Sequence, residues 1–282
     1  MRVVLMILLS VASAVSYGVA DFVGGVASRR AHVLRVVAVS APASLGVELI
    51  LLPFLGAQWN ASAIGWGALS GVASALAFTL LYRTLAIGPM TVLAPVTALV
   101  SGVLPVVVGV STGDRLSISA IVGIPLALCA VVLIATNGPS GGGGRPAPHA
   151  VLLACGAGAA IAGQLITLEQ APHDSGLAPL VTGRVVSSAL LLSAAVVQRH
   201  SLGDSRPPLL AAAAAGCLDS LANTFFLFAA RAGNLSISAV IVALYPAATV
   251  LLARFVLRER INGIQRVSLV TAAVAVALLA RP

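Results

Sequence analysis

The sequence contains no lysine, and its 16 basic residues, all arginine, face only 8 acidic ones in a chain of 282 residues. Charged residues make up 9% of the chain, where a soluble globular domain carries about a quarter. That scarcity excludes a single water-solvated core. The net charge of +8 and a pI near 11 would normally raise nucleic acid as a partner. Aromatics are only 4% of the residues, however, and the arginines are scattered over the edges of apolar segments instead of forming one basic stripe interleaved with aromatics, so nucleic acid is excluded. Arginines placed that way anchor and orient a chain at lipid headgroups. Arginine-only usage with abundant Ala and Gly reads as the bias of a GC-rich genome.

Catalytic and metal chemistry are also missing. The three cysteines, Cys129, Cys155 and Cys217, sit in three different apolar segments without metal spacing or a disulfide framework, and read as small core residues. The four histidines, His32, His149, His173 and His200, fall near segment ends. There is no phosphate-cradling glycine loop followed by Lys and no Gly-x-Ser-x-Gly elbow, and Gly141 to Gly144 lack a strand-loop-helix setting. No enzyme activity and no cofactor are expected, and the lack of a nucleotide site argues against a primary pump.

What the chain has is long apolar runs. Hydrophobic residues are 59% of the total and mean hydropathy is +1.07. Ten runs have the length of about 20 residues that a helix needs to cross a hydrocarbon core of about 30 Å. They are Val3–Val26, Leu34–Leu55, Ile64–Ile87, Met90–Val110, Ile118–Thr136, Ala150–Gln170, Leu177–Val197, Leu209–Ala230, Ser236–Val256 and Ile264–Ala280. Arg2 and Ala12-Ser13-Ala14 have the parts of a signal peptide, but the apolar run continues past them to Val26, as a retained first helix does. The expected fold class is an all-α integral membrane protein with ten transmembrane helices.

The only long Gly/Pro-rich stretch, residues 137–149, divides the chain into a first unit, 1–136, and a second, 150–282, with five segments each. An offset of 145 positions aligns Gly71 with Gly216, Ala77 with Ala222, Gly88 with Gly233, Asp114 with Glu259, Arg115 with Arg260 and Leu116 with Ile261. An odd number of spans per copy makes the second copy enter the bilayer upside down, so the two five-helix repeats are expected to be inverted. That architecture serves many secondary transporters, with a site near the midplane where the halves meet.

The stretch Tyr17-Gly18-Val19-Ala20-Asp21-Phe22-Val23-Gly24-Gly25, the Gly88-Pro89 turn, and the turns Gly113-Asp114-Arg115-Leu116 and Arg258-Glu259-Arg260-Ile261 resemble the EamA-type branch of the drug/metabolite transporter superfamily. The resemblance covers essentially the whole chain. It implies ten helices in two EamA-like repeats and export or exchange of small metabolites. Two positions depart from the family pattern: Asp114 stands where Glu is usual, and Ser101 matches Pro246 of the second copy, a position where the family often has Pro.

The acidic turns read as structural. Asp114 and Glu259 precede the fifth and tenth segments, where a negative charge favours a helix N-terminus, and Asn262 with Gln265 fits a capping-box variant. Gly67 and Gly71, and Gly109 and Gly113, stand four apart and predict close backbone approach.

Polar residues inside the apolar spans point to a pathway, because an ionisable group in hydrocarbon costs several kcal/mol unless it faces protein or water. Asp219 lies mid-segment with Asn223 one turn on, and Ser74 is its counterpart in the first repeat. Tyr17 and Asp21 are four apart on the first segment, and Gln164 lies inside the sixth. These residues are expected to line a central cavity, with Asp219 the leading candidate for binding substrate or a proton. The alternatives are headgroup contact for Asp21 and a simple interhelical bond for Asp219. Glu48 and Arg184 are costly alone and can pair with each other or with other buried groups; Arg184 can instead bind a substrate carboxylate. Tyr245-Pro246 offers an aromatic surface at a break in helix hydrogen bonding.

The functional expectation is a secondary transporter of a small organic metabolite working by alternating access, with proton or counter-substrate coupling, membrane lipid around it, and a bacterial plasma membrane as its place. The competing class is a membrane-embedded enzyme or lipid-handling protein using the same cavity, and a passive channel ranks third. Orientation gets conflicting signals. A cytoplasmic N-terminus, usual for ten-helix members of the family, leaves only Arg2, Arg115, Arg231 and Arg281 on the inside, against the positive-inside rule.

Overall fold

The structure is a computed structural model, and it describes residues 2–87, 90–136, 147–198, 208–256 and 263–280. Among them the chain is helical, in the order α1 (Arg2–Ser28), α2 (Val33–Leu55), α3 (Ala61–Ile87), α4 (Met90–Thr112), α5 (Ile118–Thr136), α6 (Pro148–Glu169), α7 (Ala178–Val197), α8 (Leu209–Ala232), α9 (Leu235–Val242), α10 (Tyr245–Val256) and α11 (Gly263–Leu279). A single 3₁₀ turn, His173–Ser175, joins α6 to α7. Seven of these helices are long and apolar enough to cross a membrane, and three shorter apolar stretches accompany them: Ile118–Leu133, Leu235–Ala248 and Arg266–Leu279.

The helices start and stop on local chemistry. Asn60 Oδ1 accepts the Ala63 amide at 2.8 Å to cap α3, and Gly56 ends α2 at φ 70°, a conformation that costs glycine little. Pro148 and Pro179 sit in the first turns of α6 and α7, where a missing N–H is harmless. The ninth expected segment is split into α9 and α10. Pro246, second in α10, has no N–H to return to the α9 carbonyls, and the chain turns at Ala243 and Leu244 before restarting.

Burial is arranged inside out relative to a soluble protein. Leu210, Ile118 and Phe54 are 86%, 83% and 78% exposed, whereas Arg184, Glu48 and Asn223 are 2%, 0% and 0% exposed. Lipid solvates the outer face, and the polar side chains find partners within the bundle. The cysteines depart from expectation: Cys129 is on the exposed face, and Cys155 and Cys217 are only half-buried. A thiol is apolar enough to face hydrocarbon, so it need not be in the core.

Each half of the chain sends helices to both of two groups. In one, α1 packs against α8, α9 and α10, and α2 packs against α8; in the other, α3 packs against α6 and α7, and α4 against α6. The α2–α7 and α4–α9 contacts join the groups, and α5 packs against α11. Small residues allow the close approaches, since apolar tails give helices in lipid no hydrophobic reason to associate. A Cβ on Gly67 would meet the Pro179 carbonyl oxygen at 2.6 Å, and one on Gly71 would strike the Gly183 backbone, as their spacing predicts. Gly158 faces the Thr97 carbonyl, and Gly216 faces that of Ser40. The second expected pair works differently: Gly109 makes room for the Ser236 and Asp114 side chains, and Gly113 turns the chain at φ 112°. Hydroxyls add bonds between helices, with Ser13 donating to the Ala222 carbonyl and Ser40 to that of Ala212, both at 2.7 Å.

One end of the bundle is tied across the two groups. Arg231, at the end of α8, donates to the Gly176 carbonyl at 2.8 Å, the Pro172 carbonyl at 3.1 Å and Ser175 Oγ at 2.9 Å, all in the α6–α7 turn. That turn also bonds the α2–α3 connection through Leu177 N–H to Gly56 O at 2.9 Å and Gln58 N–H to Ser175 O at 3.0 Å. Asp114 accepts the Ser236 amide at 3.0 Å and the Ser236 hydroxyl at 2.7 Å. Its carboxylate therefore caps α9, a helix of the other half, and not α5 as expected; Ser117 takes the α5 cap, accepting the Ala120 amide at 3.3 Å. The interaction with a helix N-terminus is as expected, on another helix. The other acidic turn, the Asn262 cap, the Gly88-Pro89 turn and residues 137–146 of the expected linker lie outside the described residues; the last linker residues, from Pro148, already belong to α6.

Adding a methyl at Gly216 forces it into the Ser40 backbone, so Gly216→Ala should destabilise by about 1–3 kcal/mol, whereas Gly46→Ala, with open space around it, should be neutral or slightly stabilising. Thermal unfolding of the detergent-purified variants decides, and equal midpoints would contradict this packing.

Candidate functional site

The centre of the bundle holds an ion pair between two helices of the second half, which a serine of the first half joins. Arg184 of α7 places Nη2 2.6 Å from Asp219 Oδ2 of α8, and its Nη1 donates to Ser74 Oγ of α3 at 3.1 Å. Its guanidinium carbon also lies 5.9 Å from the centroid of the Phe78 ring. Next to it, Gln164 Nε2 of α6 donates to Asn223 Oδ1 at 2.6 Å, and Asn223 Nδ2 donates to the Asp219 carbonyl at 2.8 Å and to Asp219 Oδ2 at 3.3 Å. Ser70 Oγ donates to the Gln164 carbonyl at 3.2 Å. The chain Ser74, Arg184, Asp219, Asn223, Gln164 crosses twice between the two helix groups.

The expected partners are therefore redistributed. Arg184 takes Asp219, not Glu48. Glu48 is held instead by hydroxyls, Ser220 Oγ donating to its Oε1 at 2.6 Å and Thr224 Oγ1 at 3.2 Å. Both donors are on α8, the helix against which α2 lies, so register along that contact decides the pairing. Asp219 cannot act as an isolated carboxylate while Arg184 neutralises it.

Beside the ion pair is a cavity of about 30 Å³. Tyr17 and Asp21 of α1, Gln164 of α6, Asp219 of α8 and Tyr245 of α10 all line it, while Ser74, Arg184 and Asn223 stand behind that wall. Ser74, Arg184 and Gln164 border a second void of about 10 Å³, room for about one water. Ser101, the residue noted against Pro246, also lines the main cavity. Asp21 is 7% exposed and faces the cavity, not the headgroup region. The Tyr17 and Tyr245 rings meet with centroids 6.5 Å apart at 53°, and the Tyr245 hydroxyl donates to the Ala94 carbonyl of α4 at 3.3 Å.

Residues 149–281 match the model of the EamA-like transporter family. Over this second half, the chain is similar to that family. With its apolar helices, that makes it a multi-pass membrane protein. One solved crystal structure of a protein superposes on 95% of this chain and 97% of its own at a TM-score of 0.71, with 15% sequence identity, a likeness of fold alone. A search of curated proteins finds no match. In this EamA-like chain the matched half supplies Gln164, Arg184, Asp219, Asn223 and Tyr245, and the first half supplies Tyr17, Asp21 and Ser74.

Sequence reasoning missed Phe78 and Tyr82, which stand edge to face with centroids 5.7 Å apart at 73° and line the cavity from α3. Their spacing of four on a helix, and the rarity of tyrosine in this chain, carried the signal. It also missed the Arg231 anchor, for which a lone Arg at a segment end gives no sign.

Removing one partner of a buried ion pair strands the other's charge. Arg184→Met should cost about 3–5 kcal/mol of stability, and Arg184→Met with Asp219→Leu should recover much of it. A single variant as stable as the parent in thermal unfolding would contradict the pairing.

Proposed function

We propose that this chain is a secondary transporter that moves a small organic metabolite by alternating access, with its substrate held in the cavity between the two helix groups. The observation that carries the proposal is the position of the polar cluster: it lies in the apolar interior at the junction of two groups that each combine helices from both halves. Groups that move against one another at such a junction would expose the cavity first to one side and then to the other.

The packing supports an inverted repeat of residues 1–136 and 150–282. Exchanging α1 with α6, α2 with α7, α3 with α8, α4 with α9 and α5 with α11 converts the α1–α8 contact into α6–α3, α2–α8 into α7–α3, and α4–α6 into α9–α1. The α2–α7, α4–α9 and α5–α11 contacts map onto themselves. The 145-residue offset pairs Ser74 with Asp219, the two side chains that hold the two terminal nitrogens of Arg184. Seven long apolar helices and three shorter apolar stretches are compatible with ten spans.

The conformation described is a narrow one. A cavity of about 30 Å³ holds about two waters, whereas a metabolite site occupies hundreds of cubic ångströms. Substrate entry then requires the groups to part, and the Arg231 and Asp114 bonds mark an end that must release for opening there. An exporter or exchanger in a plasma membrane fits this reading, driven by an ion or counter-substrate gradient. Removal of Asp219 should disturb the cycle by freeing Arg184.

Counterflow in sealed proteoliposomes tests the proposal, with vesicles preloaded with pools of amino acids, amines and sugar derivatives and exposed to labelled solute outside. Saturable uptake driven by one pool is expected, with at least a tenfold loss in Asp219→Asn. Chemical conversion of a lipid or solute without flux would instead favour the membrane-enzyme reading.

A further inference from the structure

The chain has three tyrosines, Tyr17, Tyr82 and Tyr245, and all three line the central cavity from three different helices. In a sequence with 4% aromatic residues that concentration is a property of the site, not of composition. Phe78 lines it as well, but Arg184 already lies over its ring. The Tyr245 ring is fixed by its hydroxyl on the Ala94 carbonyl, and Tyr82 by its edge contact with Phe78.

The carboxylates near the cavity differ in how they are satisfied. Asp219 is paired with Arg184, and Glu48 is turned toward Ser220 and Thr224 on α8. Asp21 is 7% exposed, lines the cavity, and has no hydrogen bond or ion pair among the described residues. It lies one helical turn after Tyr17, on the same face of α1, and lines the same cavity as Tyr82 and Tyr245. Three carboxylates, Asp21, Glu48 and Asp219, thus share the centre of the bundle with one guanidinium, Arg184.

From this geometry we propose that the cavity binds a small organic cation of the ammonium class, with Asp21 as its counter-charge and the three tyrosine rings as its wall. The proposal rests on the transport reading above and names its substrate class. A cation set against aromatic faces gains from the ring quadrupole, most strongly when desolvated, and a carboxylate in an apolar interior is stabilised by an opposite charge. An anionic substrate would meet Asp21 directly and find Arg184 already engaged by Asp219 and Ser74.

The full chain in proteoliposomes provides the test, using two permanently charged probes that neither leak through lipid nor titrate: tetramethylammonium and butanesulfonate. Each labelled probe is followed into vesicles preloaded with its unlabelled form. Exchange of tetramethylammonium without exchange of butanesulfonate is expected in the wild-type protein, a comparison that needs no variant. Asp21→Asn should lower tetramethylammonium exchange at least tenfold, Asp21→Glu should keep part of it, and Cys129→Ser on the lipid-facing surface should match wild type. Exchange of butanesulfonate, or tetramethylammonium exchange unchanged in Asp21→Asn, would overturn the proposal. So would exchange of neutral or zwitterionic solutes with none of tetramethylammonium, a result that leaves the transport reading standing and reassigns Asp21 to another task such as carrying a proton. Failure of every pool to exchange in vesicles holding folded protein would overturn both.

Discussion

Arg184 is the constraint around which the interior is organised. A guanidinium that is 2% exposed inside a lipid-solvated bundle is tolerable only with its charge matched and its donors engaged, so α7 must lie where Asp219 of α8 and Ser74 of α3 can both reach it. That requirement fixes the register of three helices from two halves of the chain. The Gly67 and Gly71 contacts with α7 make the approach sterically feasible, and the Gln164–Asn223 bond extends the polar line to α6. Hydrophobic burial contributes little to helix association in lipid, so these few polar and small-residue contacts decide the arrangement.

The same economy explains the cavity. With Asp219 paired with Arg184 and Glu48 held through one oxygen by α8 hydroxyls, the carboxylate left to face the space enclosed by the tyrosines is Asp21. The Tyr245 ring can reach that space because the ninth segment breaks ahead of Pro246, which gives α10 a fresh start beside the cavity. Local chain chemistry, a missing amide, thereby sets the position of a cavity wall.

Much of the fold was legible in the sequence because lipid imposes one rule on every span: about 20 apolar residues, with backbone bonds satisfied locally. The positions of the apolar segments, the close packing at Gly67 and Gly71, and the break near Tyr245-Pro246 follow from local composition. The cavity residues Tyr17, Asp21, Gln164, Asp219 and Tyr245 were legible because polar groups are rare in such spans. Pairing was not legible. Whether Arg184 meets Glu48 or Asp219, and whether Asp114 caps α5 or α9, depends on contacts between residues far apart in the chain, which no local pattern encodes. Tyr82 was legible only through its spacing of four from Phe78 and the rarity of tyrosine, since an aromatic residue on an apolar helix otherwise looks the same whether it faces lipid or a cavity.

The central claim is that two mixed helix groups move against each other about this polar junction. It is tested most directly by spin-label distances in lipid bilayers, measured at both ends of the bundle between α1 of one group and α6 of the other. Val4 and Gln170 mark the tied end, and Arg30 and His149 mark the opposite one; all four are exposed. The account predicts that a solute that drives counterflow shifts the two distance distributions in opposite senses, one end widening as the other narrows. Distributions that stay fixed at both ends, in protein that still carries solute, would contradict it.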